Sequence, residues 1–412
     1  MTASSIKERA HAGVRSRFLS LRNRNFRLFF IGQSISNTGN WLTNVAIVLL
    51  VLNLTHSGFA VGLLAAFQYG PILLLSPLGG AIADRTDKRK MLFWTQSLEM
   101  VQSIGLAVVA FLPHPSLFSL YALALFGGTL LAFDNPLRRS FVTEMVRGED
   151  LQNASVLYMT IVNISRLIGP ALAGLLIISF GYGWAFALDA ASYVAVIACL
   201  FMMHAEELNR QPPKARQKGE IREGFRYVSS IPNLWISFAM LAAIGTLAYN
   251  FNVTLPLFVA DTLHGSNTAF TILYSIFSAG AVVCSLWIAN RERTTVGHII
   301  FGAAGLGASM LLFAFTSSLW AAAIAIFILG VASMLYMTAT TTIVQGETTT
   351  AIRGRVLALQ MVLLVGTTPI GGPLLGWLAD VSGGRVPIIL GGVTCLAAAL
   401  FGYLATGRYS MS

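Results

Sequence analysis

The sequence predicts an all-α integral membrane protein, with twelve transmembrane helices arranged as two six-helix halves. Three observations carry that prediction. Of the 412 residues, 55% are hydrophobic and only 11% are charged, whereas a soluble domain carries about 25% charged residues. The apolar residues are gathered into stretches, among them Val45 to Leu52, Met100 to Leu112 and Ala321 to Met334. A helix needs about 20 largely apolar residues to cross a ~30 Å hydrocarbon core, and segments of that length fill the chain. Finally, Lys and Arg collect on alternate breaks between those segments.

Taken in order, the apolar segments predict helices over 26–52, 58–82, 91–112, 116–137, 154–180, 183–203, 233–258, 266–289, 296–316, 319–343, 355–379 and 386–406. The first follows a basic stretch with no signal-peptide apolar core before a small-residue cleavage site, so it reads as a retained signal anchor. The longest polar stretch, about Glu206 to Arg226, contains Gln211, Pro212 and Pro213 and divides six helices from six. The expected organisation is a tail over 1–25, a first half over 26–203, a partly helical linker over 204–232, a second half over 233–406 and a tail over 407–412.

Charge placement orients the helices. Six Lys or Arg precede Phe26 and Arg27 sits at the first helix's mouth. Arg85, Lys88, Arg89 and Lys90 follow the second helix; Arg138, Arg139 and Arg147 follow the fourth. Six more lie in the linker, then Arg291 and Arg293, Arg353 and Arg355, and Arg408 at the end. Only Arg166 and Arg385 depart from the pattern. Cytoplasmic loops retain Lys and Arg, so both termini are expected in the cytoplasm. The same distribution rejects a nucleic-acid partner despite the net charge of +10, because no basic face interleaved with aromatics is formed.

The halves repeat one another. Arg166, Gly169, Pro170 and Gly174 in the fifth helix are echoed by Thr368, Gly371, Pro373 and Gly376 in the eleventh, and Ala83-Asp84-Arg85 by Ala289-Asn290-Arg291. Parallel repeats place a binding site at the interface between them. The five glycines and prolines Gly169, Pro170, Gly174, Gly371 and Gly376 are read as points where helices bend or approach closely.

Gly80, Asp84, Arg85, Lys88 and Arg89 form a loop motif after the second helix. With it the chain resembles the major facilitator superfamily over essentially its whole length. Asp87 stands where that family usually has glycine. The resemblance implies the major facilitator fold and a gate in which the loop Asp and its basic neighbours bridge to nearby helix ends; an Asp beside cations forms charge-assisted bonds that break on rocking. Asn25-Phe26-Arg27, Asp134-Asn135-Pro136-Leu137-Arg138, Asn163 to Pro170, Asn153-Ala154 and Arg353 to Val356 narrow the resemblance to the bacterial secretion-effector branch, which includes enterobactin exporters and macrolide efflux proteins. That implies export of a drug- or siderophore-type compound across the bacterial cytoplasmic (inner) membrane, in exchange for protons. The arginine that many drug–proton antiporters carry within the fourth helix is absent from 121–133.

Polar residues inside the spans supply the site candidates. Arg166 lies ~18 Å into the fifth helix at 1.5 Å per residue, near the midplane, where an Arg faces a cavity or a partner. Gln33, Asn37, Asn40 and Asn44 share one face of the first helix, a stripe that must avoid lipid. Asn163, Tyr249, Asn250 and Tyr336 are added as substrate-binding candidates, with Asn252 beside Pro256 suggesting a bent seventh helix. Glu99 and Asp189 are proton-coupling candidates, and Asp134 and Arg138 belong with the gate.

Other chemistries find no support. Cys199, Cys284 and Cys395 lie in apolar segments with no metal-ligand spacing, and no Lys-Ser or Lys-Thr follows the glycine pairs to hold a nucleotide phosphate. The expectation is a non-enzymatic, cofactor-free monomer in the lipid bilayer, driven by the proton gradient and moving a small molecule. An importer or uniporter, and a non-transporting membrane sensor, remain as alternatives.

Overall fold

The computed structural model describes residues 19–83, 85–148, 150–209, 220–288 and 295–409, and every regular element among them is helical. The long helices are α1 Arg24–Thr55, α2 Gly58–Ala83, α3 Lys88–Phe111, α4 Leu117–Met145, α5 Asp150–Phe180, α6 Tyr182–Met202, α7 Pro232–Thr262, α8 Asn267–Ile288, α9 Val296–Ala314, α10 Leu319–Glu347, α11 Ile352–Ser382 and α12 Arg385–Tyr409. Eleven of them are long and apolar enough to cross a membrane. The other, α3, has 24 residues but carries Lys88, Arg89, Lys90 and Glu99, which lower its hydropathy. Large apolar side chains face outward at Phe118, Leu286, Phe201 and Trp320, a surface that only lipid solvates without penalty.

Helix starts follow local chemistry. Asn23 caps α1 by accepting from Phe26 N at 3.1 Å, and Ser116 and Ser318 do the same for α4 and α10. Asp87 caps α3, accepting from Lys90 N at 3.2 Å, which gives this departure from the loop motif a structural use. Several helices outrun their predicted ends. α4 continues from the expected stop near 137 to Met145 with Pro136 inside it, because Asp134 and Arg138 are buried against neighbouring helices instead of meeting solvent.

The ends of the bundle differ. At the basic end, which holds Arg24, Lys88 and Met145, short polar contacts tie the first half together. Asn25 exchanges two bonds with the His204 backbone, at 2.9 and 3.0 Å, and the Ser20 hydroxyl donates to Asn153 at 2.6 Å. Lys88 is buried and paired with Glu144 of α4 at 2.5 Å, while Arg89 donates to the carbonyls of Leu200 and Phe201. Breaking a buried pair costs about 3–5 kcal/mol because one charge is left uncompensated. Lys88→Met is therefore expected to lower the apparent melting temperature in detergent, and adding Glu144→Leu to recover most of the loss.

The linker contains an amphipathic helix, Glu220–Ser230. It docks on the second half, where Tyr227 donates to the Glu347 carbonyl at 2.9 Å and Glu223 pairs with Arg355 at 2.6 Å.

α7 and α11 are each interrupted. α7 breaks between Leu247 and Phe251, then ends in a π turn, Phe258–Thr262. α11 breaks between Leu364 and Thr368, where Pro369 has no N–H to donate to the Val365 carbonyl and its ring crowds that group. The breaks touch: a Cβ on Gly371 would collide with the Thr246 carbonyl, and one on Gly245 with the Leu363 carbonyl.

Candidate transport site and buried charge cluster

Arg166 occupies the middle of the 31-residue α5. Its guanidinium stacks between Trp41 of α1 and Phe277 of α8, 5.5 Å from each ring centroid. One ring belongs to each half, so the cation sits on the seam between them. Cation–π contact of this kind contributes about 0.5–2 kcal/mol, more as water is excluded. The Nε is buried and has no hydrogen-bond partner, leaving donor capacity free.

A chain of polar contacts crosses the same seam. Asn44 of α1 and Asn252 of α7 both donate to the Tyr69 hydroxyl of α2, at 3.3 and 3.2 Å. Tyr274 of α8 donates to Asn252 at 2.8 Å, and its ring lies 6.3 Å from that of Trp41. Amides, phenols and one guanidinium thus converge on the centre of the bundle, a set able to bind anionic and aromatic groups together.

Toward the basic end, the first half encloses a cluster of charges. Asp134 and Arg138 of α4 form an ion pair one helical turn apart, and Arg138 also donates to Glu99 of α3 at 3.0 Å. Its remaining terminal nitrogen donates to Gln33 of α1 at 3.0 Å. Gln96 bridges the two carboxylates at 2.9 Å each, and Thr95 donates to Asp134 at 2.7 Å. All of these side chains are buried. With both acids ionised, two negative charges face one positive charge out of water, a costly excess.

Asp189 of α6 stands apart, held by the hydroxyls of Thr43 and Ser103 at 2.7 Å each. A Cβ at Gly39 would overlap its carboxylate, so that glycine gives the acid its space on α1.

The amide stripe on α1 serves three neighbours. Gln33, with Asn37 donating to it at 3.2 Å, belongs to the charge cluster; Asn40 accepts from Tyr193 of α6 at 2.9 Å; Asn44 reaches the seam. Asn163 is half-buried on α5. Asn250 turns back on the break in α7, donating to the Thr246 carbonyl at 2.8 Å. Tyr249 donates to the Ser333 carbonyl at 2.8 Å, and Tyr336 is fully buried beside it, so both lie in the packing between α7 and α10. Gly169 and Gly174 mark close approaches to Trp41 and Thr271, Pro170 lies inside a continuous α5, and Gly376 meets Gly58. Gly80 has open space around it and Arg85 is exposed; Asp84 lies outside the described residues. Trp41, Tyr69, Tyr274 and Phe277 escaped the sequence reading, because lipid-facing aromatics carry the same signal.

Residues 15–409 match a known family, the one described as transmembrane secretion effector. The chain belongs to that family. This secretion effector is a multi-pass protein of the inner membrane and a transporter, not an enzyme. It is 27% identical over 355 residues to the enterobactin exporter EntS of Escherichia coli O1:K1, covering 86% of this chain and 85% of the relative. The same figures hold for the enterobactin exporter EntS of Shigella boydii serotype 18. Among solved structures, the POT family transporter PepTSo superposes with a TM-score of 0.78 at 13% identity, over 95% of this chain and 99% of that one. A bacterial homologue of the human lysosomal transporter Spinster, inward-facing and occupied, gives a TM-score of 0.70 at 15% identity, over 92% and 96%. These structural likenesses establish the secretion effector's fold.

Proposed function

We propose that this secretion effector exports a small amphipathic or anionic compound by alternating access, in exchange for protons. The observation that carries the reading is Arg166, set between aromatic rings of opposite halves with an unpartnered Nε. In this reading twelve helices span the membrane and both termini are cytoplasmic, which makes the basic end the inner one. Cargo enters from that side and its negative or aromatic group meets Arg166, Trp41 and Phe277, while Asn44, Tyr69, Asn252 and Tyr274 orient its polar groups.

Glu99, Asp134 and Arg138 form both the inner gate and the proton site. Proton uptake removes the excess negative charge, and proton loss restores it. Each change alters how strongly Arg138 holds the Gln33 side chain of α1, so proton occupancy biases the packing of α1 against α3 and α4. Cargo and proton act through their different affinities for the two packings. Asp189 is a second proton candidate, held by hydroxyls alone.

The relatives named as enterobactin exporters make enterobactin the first compound to test. Inside-out vesicles containing the purified protein are given an imposed pH gradient, and substrate-stimulated proton movement is followed for wild type and Arg166→Ala. Export by antiport predicts proton movement in the wild type and its loss in the variant. Cargo movement with no proton signal would remove the antiport claim and favour a uniporter.

A further inference from the structure

Far from the basic end, α11 reaches across to the first half. Asp380 of α11 accepts from the Ser57 hydroxyl at 2.7 Å, from Gly58 N at 2.5 Å and from Phe59 N at 2.9 Å. Those amides open the 26-residue α2. The first amides of a helix have no acceptor of their own and carry the positive end of its dipole. Ser57 meets one of them locally, accepting from Ala60 N at 3.3 Å; two others are met by a carboxylate from the opposite half. Here the backbones are in contact, since a Cβ on either Gly58 or Gly376 would collide with the other's carbonyl.

A cap supplied from within the same helix would be indifferent to the position of the halves. This one is lost whenever they part at the far end, and a carboxylate and two helix amides must then find water. We infer that Asp380 is a gating residue for the far end: its carboxylate latches α11 onto the start of α2 in the closed state and lets go in every cycle. The inference rests on the alternating-access reading and adds the outer counterpart to the inner gate. A second contact acts at the same level without charge, where Asn53 and Asn267 from opposite halves both donate to Tyr182, at 2.6 and 2.9 Å. Asp380 alone among these groups brings a carboxylate to a helix terminus.

The test measures the distance between spin labels at Phe118→Cys on α4 and Trp320→Cys on α10. Both positions are exposed, 81% and 85%, at the far ends of opposite halves. The full chain is used in lipid nanodiscs, with Cys199, Cys284 and Cys395 replaced by Ala. No cargo or pH gradient is needed, so failure of the latch is distinguishable from failure of the transport reading. Exchanging a charged acceptor for a neutral one weakens a hydrogen bond by about one power of ten in equilibrium terms. Asp380→Asn is therefore expected to raise the ratio of long to short distances on the order of tenfold, Ser57→Ala to raise it less, and Asp380→Glu to stay near wild type. A wild-type distribution in folded Asp380→Asn would overturn the inference, as would a lower melting temperature with an unchanged ratio, which marks a fixed cap. Should Asp380→Asn fail to fold, Ser57→Ala decides: no rise in long distances overturns the latch.

Discussion

Arg166→Ala loses export by on the order of 100-fold in kcat/KM while the bundle stays folded. The size follows from what the guanidinium offers. A hydrogen bond to a charged group contributes about 1.5–3 kcal/mol, and the Trp41 and Phe277 rings hold the donor on the seam at 5.5 Å each. The fold survives because no carboxylate among the described residues depends on Arg166 for neutralisation: it meets the two aromatic faces and the Tyr274 hydroxyl, and its side chain is half-buried. What is lost on truncation is stem packing, a modest term. Arg166→Lys keeps the charge but loses the planar fork, so an intermediate export rate is expected, with the loss mostly in KM. Transport assays in vesicles and a melting curve on the same preparations check both halves of this expectation. Equal export by wild type and Arg166→Ala would remove the central arginine from the site.

The second large effect separates stability from coupling in the buried cluster. Arg138→Met leaves Glu99 and Asp134 without their cation and is expected to cost about 3–5 kcal/mol, seen as poor expression and a lowered melting temperature. Glu99→Gln is the informative partner. Its amide oxygen still accepts from Gln96 and Arg138, so the protein folds, yet the site can no longer gain or lose a proton there. Cargo movement in this variant is expected to become insensitive to an imposed pH gradient. A retained gradient response in Glu99→Gln would transfer the proton role to Asp134 or Asp189, and the corresponding Asn variants identify which.

Hydropathy and charge were enough to read the membrane class and the place of Arg166 at the middle of its helix. Position along a helix follows from counting residues, which is why the central place of Arg166 is legible. The direction a side chain faces depends on neighbours that no single helix specifies. Glu99 reads as a proton candidate and Arg138 as part of the gate, and their contact across 39 positions puts both in one cluster. Gln33 illustrates the same limit: the four-residue stripe on α1 is visible, but three different neighbours take it up. α4 ends at Met145 and not near 137 as hydropathy predicts, because buried polar residues resemble a loop when only their hydropathy is read. Tyr69 and Tyr274 illustrate the opposite difficulty, being aromatics whose hydroxyl contacts become evident only when α1, α2, α7 and α8 are assembled.

The interruptions in α7 and α11 have a mechanical consequence. Their sequence counterparts in the first half, α1 and α5, run unbroken for 32 and 31 residues, and α5 does so despite Pro170. The repeat is therefore symmetric in origin and unequal in stiffness. In the alternating-access reading the unbroken half is the stiffer member, so a change of charge in its buried cluster is passed on through the packing of α1 against α3 and α4. The other carries two adjoining breaks at one level and is the compliant member, free to flex without disturbing the charges opposite. Under the proposed antiport, division of labour between a stiff ion-bearing half and a pliant half would let cargoes of different shape be accommodated without retuning the charge cluster.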